Sequence, residues 1–154
     1  MTPAIKLAIN QKIKHQVHEY EHDPRAASYG MEACEKLNLD ATKVFKTLVV
    51  NTGNEFVVAI IPVDCKLDLK AIAKAVNAKR AVMADPKEVE RITGYVLGGV
   101  SPLGQKKRLK TVIDESAMHQ NTIFVSAGRR GLEIEISPQD LITSLNAHSS
   151  TIKN

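Results

Sequence analysis

The chain has 154 residues, 44% of them hydrophobic and 25% charged, with a formal net charge of +4. This is enough for one domain with a core that needs no disulfide or metal staple, and the two cysteines, Cys34 and Cys65, lack the spacing of a metal-ligand pair. The apolar stretch at the N-terminus is short and interrupted, so the sequence predicts neither a secretory signal nor a membrane span, and a cytoplasmic setting with reduced thiols.

Thr2-Pro3 is a helix start, a capping hydroxyl followed by proline in the first turn, and Ile5, Ala8 and Ile9 follow at helical spacing up to Asn10. Residues 16–20 read as a strand ending at the breaker His22-Asp23-Pro24. A short helix over 31–37 places Met31, Cys34 and Leu37 on one side, which makes Cys34 a core residue. The clearest β signal is a hairpin: residues 45–50, a turn at Asn51-Thr52-Gly53-Asn54, then residues 55–61. Both arms are nearly all apolar and read as a central pair. Lys46 is out of place there, because it begins the face shared by Leu48 and Val50. It is either a strand-end lysine whose stem packs while the ammonium reaches water, or a group kept for chemistry.

Asp68 caps a helix with Leu69, Ile72, Ala73 and Val76 inward, and residues 80–84 read as a strand. Asp85-Pro86 starts a helix that Gly94 ends. Strands are predicted over 111–113 and 122–126, with a Gly128-Arg129-Arg130-Gly131 turn leading into residues 132–136. There Leu132, Ile134 and Ile136 point inward and Glu133 and Glu135 the other way. Ser137-Pro138 opens a last helix, and the tail from His148 reads as frayed. The elements predict a single α+β domain over residues 1–154 with a mixed sheet.

Half of the eight glycines fall in residues 93–109, TGYVLGGVSPLGQKKRL. Two adjacent glycines before Ser-Pro leave amide groups for an anion or a carbonyl oxygen. The downstream Lys106, Lys107 and Arg108 would attract phosphate. Taken alone, the same stretch reads first as a glycine-rich turn before a solvated basic segment. Five histidines form no metal-binding pattern. No G-x-S-x-G elbow or G-x-x-x-x-G-K-[ST] phosphate loop occurs, and the loop at Gly98 lacks the spacing of a dinucleotide fingerprint.

Several segments, in order along nearly the whole chain, resemble the bacterial Cys-tRNA(Pro) deacylases of the YbaK type, relatives of the editing domain of prolyl-tRNA synthetases. They are Met1-Thr2-Pro3-Ala4, Tyr20-Glu21-His22-Asp23-Pro24, Phe45-Lys46-Thr47-Leu48, Leu67-Asp68-Leu69-Lys70, Met83-Ala84-Asp85-Pro86, Thr93-Gly94-Tyr95, the run from Gly98 to Arg108, and Gly128-Arg129-Arg130-Gly131-Leu132-Glu133. The resemblance implies a mixed sheet curled toward a barrel with surrounding helices. It also implies trans-editing hydrolysis of the ester of cysteine mischarged on tRNA(Pro), without metal or other cofactor. Cysteine and proline are close in size, and one methylene discriminates by only about 1–3 kcal/mol, so a second site adds fidelity.

By the same resemblance Lys46 holds the terminal adenosine or its phosphate side, and Gly98-Gly99 lie against the ester with amides turned to a developing oxyanion. Tyr20, Tyr29, Thr47, Ser101, Ser126 and Glu133 form the substrate pocket, the role of Glu133 being open and Tyr29 standing where the family pattern has phenylalanine. Lys106, Lys107, Arg108 and Arg130 contact tRNA. No side chain is an evident nucleophile or base, so the resemblance implies that the substrate's own thiol takes part. The implied partners are Cys-tRNA(Pro) and prolyl-tRNA synthetase in a ternary complex, without a membrane. A deacylase for alanine on tRNA(Pro) and a non-catalytic tRNA- or synthetase-binding module are the alternatives.

Overall fold

The apolar runs of the sequence become eight strands in the computed structural model, which describes residues 1–154. In chain order the elements are α1 (Pro3–Asn10), β1 (His15–Glu19), α2 (Tyr29–Leu37), β2 (Phe45–Asn51), β3 (Phe56–Pro62), α3 (Leu69–Ala75), β4 (Val82–Met83), α4 (Pro86–Thr93), β5 (Lys110–Asp114), β6 (Ile123–Arg129), β7 (Leu132–Ile136), α5 (Pro138–Leu145) and β8 (His148–Ser150). Each helix begins on a side chain that satisfies a free amide of its first turn. Thr2, Ser28, Asp68, Asp85 and Ser137 accept from Ile5, Met31, Ala71, Lys87 and Asp140 respectively.

The strands form two sheets, β1-β7-β6 and β4-β2-β3-β5-β8, the second mixed because β3 and β5 pair in parallel. The sheets touch through a bridge between Val44 and Phe124. The α+β class stands as expected, but the curled sheet is divided in two and does not close. The hairpin of β2 and β3 forms as expected, but its turn falls one residue later than expected, between Thr52 and Glu55, so that Phe45 stands opposite Pro62 and Asn51 opposite Phe56. β3 is the central strand; β2 is flanked beyond only by the two residues of β4, far shorter than the strand expected over 80–84.

The largest apolar cluster lies between the sheets and includes Phe45, Val49, Ile60, Ile123, Ile134 and Ile136. A second packs α3 and Ile152 on the opposite face of the five-stranded sheet, and a third, around Ala33, Cys34, Val63 and Phe124, sits beneath α2. Cys34 is thus core, as expected.

Two expectations are corrected. Helix α1 turns Ala4 and Ala8 inward and leaves Ile9 half exposed, and at its start the chain at Gly104 passes so close that a methyl there would lie 2.6 Å from the carbonyl carbon of Pro3. The tail is not frayed. β8 pairs in parallel with β5, Ile152 is fully buried, and the carboxylate of buried Asp114 accepts the amides of Ile152 and Lys153, both at 3.0 Å. One short-range pattern could not reveal this, since its partner lies 38 residues upstream.

Candidate functional site

A cleft of about 270 Å³ opens between the start of α2, strand β2, the glycine-rich loop and the outer face of the three-stranded sheet. Its walls bring together Tyr20, Tyr29, Lys46, Thr47, Gly98, Ser126 and Glu133, seven residues expected at the site and separated by as many as 113 positions (133 minus 20). Apolar Phe45, Leu48, Val63, Leu97 and Val100 complete much of the remaining wall.

Lys46 reaches the cleft because β2 is only partly covered over Lys46, Thr47 and Leu48, between buried Phe45 and buried Val49 and Val50. No carboxylate lies within ion-pair distance of Lys46, so its charge is left for a ligand. The Thr47 hydroxyl is buried without a hydrogen-bond partner. Such a group costs free energy unless a ligand or water satisfies it.

Gly98 sits at the turn from Val96 to Gly99, closed by the Gly99 amide donating to the Val96 carbonyl at 2.9 Å. Its φ of 84° is in the left-handed region that favours glycine at this turn position. A methyl there would come within 2.6 Å of the Tyr29 ring. The Gly98 amide donates to no backbone carbonyl, while the Gly99 amide is spent within the turn. Of the two expected oxyanion donors, only Gly98 is therefore available, and Gly99 shapes the turn instead. A methyl on Gly99 would meet the Arg129 backbone at 2.8 Å.

Glu133 faces the side that alternation gives it, and its burial there goes beyond the pattern. It does point away from Leu132 and Ile134, but the face it shares is covered, and the side chain is buried. The usable signal is the continuous apolar run Ile123-Phe124-Val125 in the neighbouring strand, which marks both faces of that strand as buried. Glu133 pairs with Ser126 on one side and His18 on the other. Burial alone pushes its carboxyl up to about 8. At neutral pH it is mostly protonated, so it is a donor for a ligand and a poor base. Tyr20 is held un-ionised, pushed up to about 12 first by burial and then by the nearby carboxylates of Glu133 and Glu32.

Five further expected residues lie outside the cleft lining. Ser101 is fully buried outside the cleft, where its hydroxyl accepts the Leu103 amide at 3.2 Å and so shapes the glycine-rich loop. Lys107 and Arg108 line a separate groove with Gln11, Gln105 and Ser144, and Lys106 is exposed beside them. Arg130 turns onto the cleft mouth. The imidazoles of His15, His18 and His22 engage the Ile13 carbonyl, Glu135 and Glu32, and do not converge. No helix is long and apolar enough to cross a membrane.

The chain is similar to known proteins in sequence and in fold. A family model described as an aminoacyl-tRNA editing domain matches residues 23–144. A protein of Enterococcus faecalis named "Putative Cys-tRNA(Pro)/Cys-tRNA(Cys) deacylase EbsC" is 36% identical over 153 residues, covering 98% of this chain and 92% of its own. The "Multifunctional Ser/Thr-tRNA deacylase ProXp-y" of Escherichia coli K12 is 38% identical over 64 residues, 42% of this chain and 38% of its own. Among solved structures, that of a "putative trans-editing enzyme for prolyl tRNA synthetase" superposes with a TM-score of 0.86 at 21% identity, over 100% of this chain and 99% of the other. The chain belongs to the aminoacyl-tRNA editing domain family.

Proposed function

We propose that this chain is a trans-editing aminoacyl-tRNA deacylase, and that it hydrolyses the ester of cysteine mischarged on tRNA(Pro) in the cytoplasm. The observation that carries the reading is a cleft holding an unpaired Lys46, an unpartnered Thr47 hydroxyl and a free Gly98 amide. These are one cation and two hydrogen-bonding groups without a ligand, set in apolar walls of a size suited to a small amino acid. Lys46 takes the terminal nucleotide. The Gly98 amide takes the oxygen that gains charge as the ester carbonyl is attacked, an effect that typically accounts for 10²–10³ in kcat.

No lining residue is a ready base at neutral pH, because Glu133 is mostly protonated and Tyr20 stays un-ionised. That supports participation of the substrate thiol, whose ordinary pKa of about 8.5 provides some thiolate at pH 7. Lys106, Lys107 and Arg108 contact the tRNA backbone beside the cleft. Gly98 and Gly104 are six residues apart, a span of at most about 21 Å, so one nucleic acid can reach both the cleft and the basic groove. Choice of tRNA(Pro) comes from a ternary complex with prolyl-tRNA synthetase, which co-elution of the three components tests.

A second reading, hydrolysis of serine or threonine esters, is favoured by the segment shared with the Escherichia coli relative. Deacylation of a panel carrying cysteine, serine, threonine and alanine, with and without chelator, separates the two and tests the metal-free chemistry.

A further inference from the structure

Arg130, in the turn between β6 and β7, makes two contacts that a surface phosphate ligand would not need. Its Nε donates to the Leu97 carbonyl at 3.0 Å, and its guanidinium lies 4.4 Å from the centre of the Tyr29 ring. It has no acidic partner, whereas the adjacent Arg129 is tied to Glu19 at 2.6 Å. Tyr29 is in turn packed so closely on Gly98 that no side chain fits between them. Three segments distant in sequence (the start of α2, the Val96–Gly99 turn and the β6–β7 turn) therefore meet at one side chain. Behind Tyr29, the His22 ring lies 5.8 Å away and is fixed by buried Glu32, at 2.7 Å, to the same helix. The α2 side of the mouth is thus braced independently. The turn on the other side carries half-exposed Val96 and Leu97, and its one closing hydrogen bond is the Gly99 amide to Val96.

From this geometry we infer that Arg130 is a positioning residue that latches the mouth of the cleft, fixing the separation of Tyr29 from the Leu97–Gly98 backbone and so limiting the size of the aminoacyl side chain admitted. The size limit rests on the proposed editing function; the latch itself does not. A guanidinium does this where an ammonium cannot, because one planar fork both stacks on a ring and donates along its edge.

The test compares Arg130→Ala and Arg130→Lys with the unaltered protein by hydrogen exchange at the Gly99 amide, by melting temperature, and by kcat/KM on cysteinyl-, valyl- and leucyl-tRNA. Exchange at Gly99 is expected to rise about tenfold in both variants, with exchange in the β2–β3 hairpin unchanged. The preference for cysteine over the larger esters is expected to fall by about tenfold or more in both. Lysine keeps the charge, so restoration of both exchange and selectivity by Arg130→Lys would overturn the latch and mark Arg130 as a simple phosphate contact. Exchange at Gly99 within twofold of the unaltered protein in Arg130→Ala would overturn it too. If the unaltered protein cleaves no ester, it is the editing function that falls, and the exchange comparison still decides whether Arg130 latches the mouth.

Discussion

Ser126 and Glu133 stand directly opposite each other in the β6–β7 ladder, and both face the cleft. The Ser126 hydroxyl is already engaged by the Gly128 amide at 3.2 Å, at the bulge that ends regular pairing. The Glu133 carboxyl makes no hydrogen bond within the protein and burial disfavours its charged form, so the protein holds an uncharged acid beside a small polar group.

This predicts how stability varies with pH. In the unfolded chain the carboxyl ionises near 4.5, whereas in the folded chain it does so near 8. Between those values the folded state binds the extra proton, so the contribution of Glu133 to stability falls as pH rises from about 4.5 to about 8 and then levels. Glu133→Gln should flatten that part of the profile and raise stability at pH 7 by up to about 3 kcal/mol. Denaturant melts at pH 4.5 and pH 8 for both proteins check it. An unchanged difference between the two pH values would contradict it.

Gly98→Ala should fold and lose turnover. Left-handed backbone costs a non-glycine residue about 1–2 kcal/mol, and the added methyl displaces Tyr29. Single-turnover rates should fall by about 10²-fold or more with little change in tRNA binding. A larger loss in affinity than in rate would move Gly98 out of the reacting centre.

Lys106, Lys107 and Arg108 should act on binding rather than on the chemical step. Each change to alanine should lower the slope of log affinity against log salt by about one, similarly for any aminoacyl group. Filter binding at several salt concentrations reads this directly. Equal slopes in the unaltered and triply substituted proteins would remove the basic groove from the tRNA path.

The C-terminal strand offers a stability test remote from the cleft. Asp114 is held below the usual carboxylate range: burial pushes it up, but the amides of Ile152, Ser116 and Lys153 outweigh that. Asp114→Ala strands those buried amides and should cost roughly 2–4 kcal/mol, with deacylation rates retained below the melting transition.

The sequence carried the local structure well where a signal is complete within a few residues. Thr2-Pro3, Asp68 and Ser137-Pro138 start helices as their capping chemistry requires, and the hairpin through Gly53 forms with its turn one residue beyond the expected bounds. What it could not carry is set by distant partners. β8 exists because β5 and Asp114 await it, and the start of α1 is covered because Gly104 brings another chain segment against Pro3 and Ala4. At the cleft, residue type and family resemblance named Lys46, Thr47 and Gly98. The neutral state of Glu133, the spent amide of Gly99 and the inward turn of Arg130 depend on packing between segments that only the fold brings together.

The central claim is that cysteine is removed with help from its own thiol, and side-by-side hydrolysis of Cys-tRNA(Pro) and Ser-tRNA(Pro) tests it most directly. The two esters are nearly isosteric, but a serine hydroxyl has no accessible anion at neutral pH. The account predicts cleavage of the cysteine ester at least about 10²-fold faster, in line with the usual size of a positioned proton-transfer or nucleophilic contribution. Comparable rates for the two would contradict it.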